Sequence, residues 1–545
     1  MPDRKILVTA ALPYANGTLH LGHMLEWIQT DIWVKFQRQS GNICHFVGAT
    51  DAHGTPTMLA AEARGITAEL LVEEAKLEHQ KILKIYNISL DNYVTTDCPE
   101  NHKITQLIYK KLEANGYITE KTVDQAYDDQ KEMFLPDRYL VGTCPRCKSP
   151  NQNGDSCEAC GATYDPLDLI EPLSKLSNTT PSIKQSKHLF FRLNDFKGFL
   201  LDWVDTHLHE SLKSKLLEWF DNDLNDWTIS RDKPYFGIPI PGKSDKFFYV
   251  WFDATIGYMA SFLNYCETNE LDIKFDDFWG EKSTSEIYHF IGKDIIYFHC
   301  LFWPAVLKGC NYRTPSSVFA HGFVTVNGEK MSKSKGTFIL AEEFSSQLDT
   351  DLLRYYYATK LSDNIEDIDF NFEDFVSKIN SDLVGKLVNL ASRCAGFIKK
   401  LNGNVLEEIT NTDLIELTQG KANELMDAYE NRKYSKVTRE IMNLCDLANK
   451  YIDDKKPWLL VKNDSTKHDA VQVCSDGIQM FRLMMIYLKP IVPSLAHKTE
   501  QFLNINSLDW LDHKNILKNH QINDFEPLLS RVDISKLNKV TGVKS

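Results

Sequence analysis

The chain has 545 residues, of which 43% are hydrophobic and 25% charged, and its formal net charge is -14. This length exceeds one ordinary core and predicts several modules, one with a large sheet; the composition excludes a disordered or low-complexity chain. The acidic balance excludes a generic polyanion binder, though not an RNA met through local patches.

The first block, residues 1–115, alternates apolar runs with helical periodicity, the grammar of a parallel βαβ sheet. Ile6 to Leu12 reads as a strand, Pro13 to Thr18 as a turn, and His20-Leu21-Gly22-His23 opens a helix through Met24, Leu25, Ile28 and Trp33. The apolar run is short and broken by Pro13 and Asn16, so no export signal is expected, and the protein is expected to be cytoplasmic. A helix start offers unpaired N–H groups and a positive dipole end, and two imidazoles bracketing a glycine can donate to phosphoryl oxygens. Taken alone, the pair also reads as a metal or structural pair. A second strand, Ile43 to Val47, leads into Gly48-Ala-Thr-Asp51-Ala-His53-Gly54, where Asp51 stands at a strand end or in a plain capped turn. Helices are expected near 57–85 and 102–115.

Residues 116–225 change character. Cys144-Pro-Arg-Cys147, nine residues, then Cys157-Glu-Ala-Cys160 make two knuckles spaced to close a tetrahedral four-thiolate shell. One structural zinc is the expected occupant, with a redox pair as the alternative, and Gly142, Gly154 and Gly161 are expected to permit the tight turns. The α/β pattern returns in 226–325: Trp227 to Arg231, Phe247 to Ala254, Tyr288 to Asp294 and Ser317 to Ala320 are expected as strands completing the first sheet. Asp253 and Gly257 interrupt the aromatic stretch Phe247 to Leu263, which is no membrane span. Trp251, Tyr258 and Phe298, with Leu12 and Tyr14, form an aromatic group that also reads as ordinary core.

Residues 326–384 carry Lys330-Met-Ser-Lys333-Ser334, a cationic loop suited to a phosphate leaving group. From 385 to 545 the chain reads as helical. Leu387, Leu390, Ala391, Cys394 and Ile398 form one apolar stripe, with Asn389, Arg393 and Lys400 opposite. Lys456-Pro457-Trp458 places an aromatic at a helix start, either core or a base-stacking platform.

With both signatures present, the chain resembles the class I aminoacyl-tRNA synthetases, specifically the methionyl-tRNA synthetases. His20 to His23 is similar to the family's His-Ile-Gly-His, and Lys330 to Ser334 matches its Lys-Met-Ser-Lys-Ser in full. Ala11 to Gly17, Asp51 to Gly54, the four cysteines, Trp227 to Arg231, Tyr249 to Asp253, Phe290 to Asp294, Asn389 to Arg393 and Lys456 to Trp458 extend the resemblance over nearly the whole chain. It implies a Rossmann-type parallel-sheet α/β catalytic domain, an inserted zinc-knuckle connective module, and an all-α anticodon-binding helix bundle.

The implied activity is ATP-dependent ligation of L-methionine to tRNA(Met) through methionyl-adenylate. His20, His23, Lys330 and Lys333 would be catalytic. Gly22, Gly292, Asp294, Val324 and Lys333 would bind ATP with Mg²⁺. Leu12, Tyr14, Asp51, Trp251, Ala254, Tyr258, Ile295, Phe298 and His299 would form the methionine pocket, and Asn389, Arg393, Pro457 and Trp458 would read the anticodon.

Two positions depart from the family: Thr255 stands where a proline is usual, and Gly385 where some relatives carry an anticodon-contacting asparagine. Some relatives dimerise through a C-terminal barrel; this chain ends after its helical part, so a monomer is expected. Two rivals are a leucine, isoleucine, valine or cysteine enzyme and an RNA-binding regulator on an inactive scaffold. The first would need an editing insert or pocket zinc ligands, and the second would be expected to lose signature residues that are retained here.

Overall fold

The computed structural model describes residues 4–540 apart from 155–156, 158, 161, 163, 222–223, 270–271 and 332–336. Its centre is a five-stranded parallel sheet. β1 (Lys5–Ala10) lies between β2 (Ile43–Thr50) and strand Glu286–Gly292; β3 (Asn92–Thr95) and strand Ser317–His321 form the edges. Burial on both faces demands continuous apolar runs, and β1 shows this in wholly buried Ile6, Leu7 and Val8. Strand order reverses beside β1, because the chain winds outward through β2 and β3 and then returns to its other side. In open α/β sheets the ligand crevice lies outside the strand ends at such a reversal.

Helix α1 (Leu21–Gln39) packs on the sheet through Met24, Trp27, Ile28, Ile32 and Trp33. The expected helix near 57–85 is two helices, α2 (Thr55–Arg64) and α3 (Ala68–Ile85), separated by Gly65 in the left-handed conformation (φ 66°). α4 (Pro99–Ala114) follows β3.

The chain then leaves the parallel sheet. β4 (Ile118–Asp128) pairs antiparallel with Ser182–Phe191, flanked by short strands Met133–Phe134 and Trp227–Thr228. A three-stranded sheet of Leu140–Thr143, Gln152–Asn153 and Ile170–Ser174 carries the cysteine knuckles.

Two sequence-based strand assignments need correction. Trp227–Thr228 joins the antiparallel sheet, and among the described residues Ser230–Asp232 pairs with Lys246–Phe248 in a two-stranded sheet of its own. Val250–Thr268 is a 19-residue helix, so Phe247 to Ala254 is not a strand of the main sheet. Aromatic and β-branched residues favour strands, but burial of nearly the whole helix against β2 and β3 overrides propensity here. Ser261 Oγ donates to the carbonyl of Gly48 at 2.8 Å.

Beyond Ile368–Phe370 the described chain is helical. Helices Asn389–Asn402, Tyr434–Lys455 and Lys467–Leu488 pack together, burying Leu390, Ala391, Cys394 and Ile398 as their spacing predicts. No described helix is long and apolar enough to cross a membrane.

Candidate active site

A cavity of about 620 Å³ opens at the strand-order reversal. Its wall combines Ala11 to Tyr14 after β1, Asp51 after β2, Gly292, Asp294 and Ile295 after Glu286–Gly292, and His321 to Thr325 around the end of Ser317–His321. His20, Gly22 and His23 enter from the start of α1, and Lys330 and Met331 from the second signature. The two motifs, some three hundred residues apart, therefore meet on one cavity. Lys333 and Ser334 lie outside the described residues.

The contact between the motifs is direct. Leu21 N–H donates to Ile339 O at 3.1 Å and Ala341 N–H to Leu19 O at 2.9 Å, so the chain after the lysine motif is laced to the start of α1. A Cβ on Gly22 would fall 2.8 Å from both His20 Cε1 and Met331 Cε. A side chain here would have to displace the His20 ring and the tip of Met331, so closeness, not backbone angle, favours glycine.

A reciprocal cap orients the histidines. Gly22 N–H donates to His20 Nδ1 at 3.0 Å, and His20 N–H donates to His23 Nδ1 at 3.3 Å. An Nδ1 that accepts leaves the ring proton of a neutral imidazole on Nε2. The rings stack with centroids 3.8 Å apart. Burial, and then the His20 ring, hold His23 well below the ordinary histidine range, so it is neutral at pH 7. Two neutral N–H donors thus stand at the positive end of a helix dipole.

The opposite wall is a helix face: Trp251, Ala254, Thr255 and Tyr258, at spacings of three and four, line the cavity. His299 Nδ1 donates to Ile295 O at 3.0 Å, and burial lowers His299 to about 4. Its Nε2 therefore accepts from the Tyr258 hydroxyl at 2.8 Å. Tyr14 meets Trp251 edge-on, with centroids 6.2 Å apart. Phe298 does not line the cavity; it stacks on Trp251 at 3.9 Å and 11°. Asp51 is 2% exposed, and its Oδ1 has no hydrogen-bond partner in the structure; Thr255 Oγ1 is likewise buried and unpartnered. Unpaired buried polar atoms on a cavity wall are costly unless a ligand meets them.

Several lining residues lie outside the sequence-derived set: Glu26, Thr255, His321, Phe338 and Asp367. Glu26 was within reach of pattern reading, because it follows His23 by three positions on α1. Burial raises it to about 7, although His321 opposes the rise. Asp367 arrives from a remote loop, accepting from Lys293 at 2.6 Å and from Phe323 N–H at 2.7 Å. No local pattern marks it.

The cysteine sulfurs of Cys144, Cys147, Cys157 and Cys160 lie within 4.8 Å of one another, with Cys144–Cys160 at 3.9 Å and Cys147–Cys157 at 3.5 Å. A tetrahedral zinc–thiolate shell has S···S edges of about 3.8 Å, so the donor set fits one zinc. Arg146 and Cys147 N–H groups point at Cys144 Sγ, and Cys160 N–H at Cys157 Sγ, each at 3.4 Å. At the two described glycines the turns are not made as expected. Lys148 (φ 62°) and Asn151 (φ 56°) adopt the left-handed conformation, while Gly142 lies in a strand. Gly154 instead allows close approach, since a Cβ there would lie 2.5 Å from Asp137 O; Gly161 lies outside the described residues.

In the helical part, the Arg393 guanidinium lies 5.2 Å over the ring of Trp458, which is 37% exposed. Asn389 precedes Arg393 by one helical turn, and Pro457 is the buried first residue of its own turn. At Gly385 a Cβ would lie 2.9 Å from Asn380 O.

Comparison with known proteins gives a concordant picture. The family described as "tRNA synthetases class I (M)" matches residues 6–395, and "Anticodon binding domain of methionyl tRNA ligase" matches 403–523. The fold is similar to Mycobacterium tuberculosis methionyl-tRNA synthetase in complex with methionyl-adenylate, with TM-score 0.79 and 24% identity, covering 96% of this chain and 99% of that one. It is also similar to the apo form of the same enzyme, with TM-score 0.75 and 21% identity over 97% and 99%.

Proposed function

The chain belongs to the methionyl branch of the class I tRNA synthetases, and from that membership we propose how its cavity joins methionine, ATP and tRNA. The enzyme ligates L-methionine to tRNA. In the first step a methionine carboxylate oxygen attacks the α-phosphorus of ATP, the bond to the β-phosphate oxygen breaks, and pyrophosphate leaves. In the second a terminal ribose hydroxyl of the tRNA attacks the carbonyl carbon of methionyl-adenylate and AMP leaves.

The meeting of both signatures on one cavity carries this reading. His20 and His23 donate Nε2–H to phosphate oxygens as charge shifts toward pyrophosphate, and the start of α1 adds its dipole. Lys330 and Lys333 hold the leaving phosphates. Gly292 and Asp294 support the adenosine with Val324 beside the base. Asp51 Oδ1, unpaired in the structure, accepts from the substrate ammonium. Trp251, Tyr258 and Ile295, with Leu12, Tyr14, Ala254 and His299, enclose the thioether, whose polarisable sulfur packs well on rings. Phe298 acts behind them by fixing the plane of Trp251. Catalysis is positioning and electrostatics, with no covalent enzyme intermediate.

Among the described residues no group of three or more His, Cys, Asp or Glu that could hold a metal lines this cavity, and Asp367 is already engaged by Lys293 and Phe323. Mg²⁺ therefore fits as the counter-ion on ATP, where it neutralises phosphate charge. Cys144, Cys147, Cys157 and Cys160 would hold one zinc, which would shape the inserted module and take no part in the chemistry. The Arg393–Trp458 pair, with Asn389 and Pro457, forms the surface that meets the anticodon, Trp458 offering a stacking face.

ATP–pyrophosphate exchange tests the reading. Methionine is expected to support exchange far better than leucine or cysteine, and His23→Gln to lower it by a factor on the order of a hundred to a thousand. Exchange without methionine preference would overturn the assignment.

A further inference from the structure

Beside Asp51 lies a chain of buried charges that belongs to neither signature. The side chain of His53 is wholly buried; its Nδ1 is 2.6 Å from Asp253 Oδ2 and its Nε2 is 3.2 Å from Asp97 Oδ1. A neutral imidazole carries one N–H and would turn a lone pair toward one of these carboxylates; only the imidazolium donates to both. Asp97 Oδ1 also meets His102 Nε2 at 2.8 Å, where the side chain of His102 reaches solvent, and Phe236 closes the other edge of the His53 ring at 5.2 Å. Burial opposes charge on His53, but Asp253 and Asp97 outweigh it and hold the imidazolium up to about 10.

The two carboxylates nearer the cavity are each left with one unpaired oxygen. Asp51 and Asp253 are 2% and 0% exposed, and the Oδ1 of each has no hydrogen-bond partner in the structure. Each burial favours the protonated acid, and Asp253 raises Asp51 further. Lys330 is the one lysine or arginine among the described lining residues, and it belongs to the signature assigned to phosphate. Asp97 lies on the far side of His53, where it is part-exposed and meets His102; on the cavity side, Asp51 and Asp253 less one imidazolium leave a single negative charge, which one substrate ammonium neutralises.

We infer that His53 is a positioning residue: held as an imidazolium between Asp253 and Asp97, it cancels the charge of Asp253 so that Asp51 can meet the substrate's α-ammonium as a carboxylate. This rests on the methionine reading of the cavity and extends it to a residue that does not touch the substrate.

The test measures dissociation constants of L-methionine and of its α-hydroxy analogue, which lacks the ammonium, on the full chain. Wild type is expected to prefer methionine strongly. His53→Gln is expected to raise the methionine Kd about tenfold or more while leaving the analogue within about twofold. The double variant His53→Gln with Asp253→Asn removes both the cation and the carboxylate it cancels, and is expected to return methionine affinity to within about threefold of wild type.

Equal losses for both ligands in His53→Gln, or no recovery in the double variant, would overturn the inference and leave the methionine reading standing. A wild type that does not prefer methionine would overturn both. If His53→Gln alone fails to fold, the double variant decides: near-native methionine affinity supports the inference, and a loss above about tenfold with the analogue retained overturns it. A second equivalent of zinc per chain that disappears in Asp97→Asn would put a metal where the inference puts a proton, and would also overturn it.

Discussion

His20 and His23 illustrate how a four-residue motif becomes a device only through backbone hydrogen bonds. Each ring's Nδ1 is occupied by a backbone N–H, so both rings present the same tautomer. Gly22 makes the device compact by letting His20 and Met331 share the space a side chain would fill. Gly22→Ala is accordingly expected to lower ATP–pyrophosphate exchange by a factor on the order of ten or more while methionine binding, measured by calorimetry, stays near wild type. Loss of both would mean that α1 itself had moved. This geometry was partly legible in sequence: the histidines and glycine at a helix start gave the expectation of an anion site. Asp367 and the plane of Trp251 were not legible, because each depends on a neighbour distant in the chain.

At the scale of elements, the sheet and the insert are held by different physics. α3 is pinned through His79, whose Nδ1 meets Thr50 Oγ1 at 3.0 Å and Tyr93 Oη at 3.2 Å. Burial lowers His79 from 6.5 to about 4. A depressed pKa contributes stability that is present above the unfolded value and lost as pH falls through the folded one. His79 is therefore expected to cost stability between pH 6.5 and 4, on the order of 3 kcal/mol at the lower end. Urea unfolding of His79→Gln should show a shallower acid slope than wild type.

The knuckle sheet instead carries a four-thiolate donor set that fits a metal. Its cluster of buried hydrophobics is small, built on Ala126, Leu135, Tyr139, Leu140 and Leu169. One zinc per chain is expected by elemental analysis, and Cys147→Ser is expected to lose it with local protease sensitivity between about 140 and 175. The aromatic run Phe247 to Phe252 misled the sequence reading because propensity speaks for strand, whereas the spacing of Trp251, Ala254, Thr255 and Tyr258 already carried the helical period.

At the scale of the molecule, polar contacts tie the sheet to the helical part. Arg354 is wholly buried. It lies 2.7 Å from the equally buried Asp31 carboxylate of α1 and donates to the carbonyls of Tyr86, Pro490 and Ile491. Arg4 pairs with Glu286 at 2.7 Å and Glu430 at 3.0 Å, joining the sheet to the helical part a second time. Removing one partner of a buried pair leaves an uncompensated charge, so Arg354→Met is expected to destabilise the chain by about 3–5 kcal/mol. Calorimetric unfolding should show the midpoint falling for sheet and helices together; a shift confined to one part would refute the coupling.

By itself the sequence determined what is written in local pattern: the parallel-sheet grammar, the helix opened by His20, the four-thiolate spacing and the apolar stripe of Leu387 to Ile398. Local pattern suffices there because strand and helix periods, caps and metal-ligand spacing act within a few residues. Only the tertiary structure decided that Lys330 and Met331 meet His20 to His23, that Asp51 faces the cavity with an unpaired oxygen, and that His53 stands between Asp253 and Asp97. Those relations join residues up to three hundred positions apart, and strand order and packing, which no local pattern encodes, bring them together.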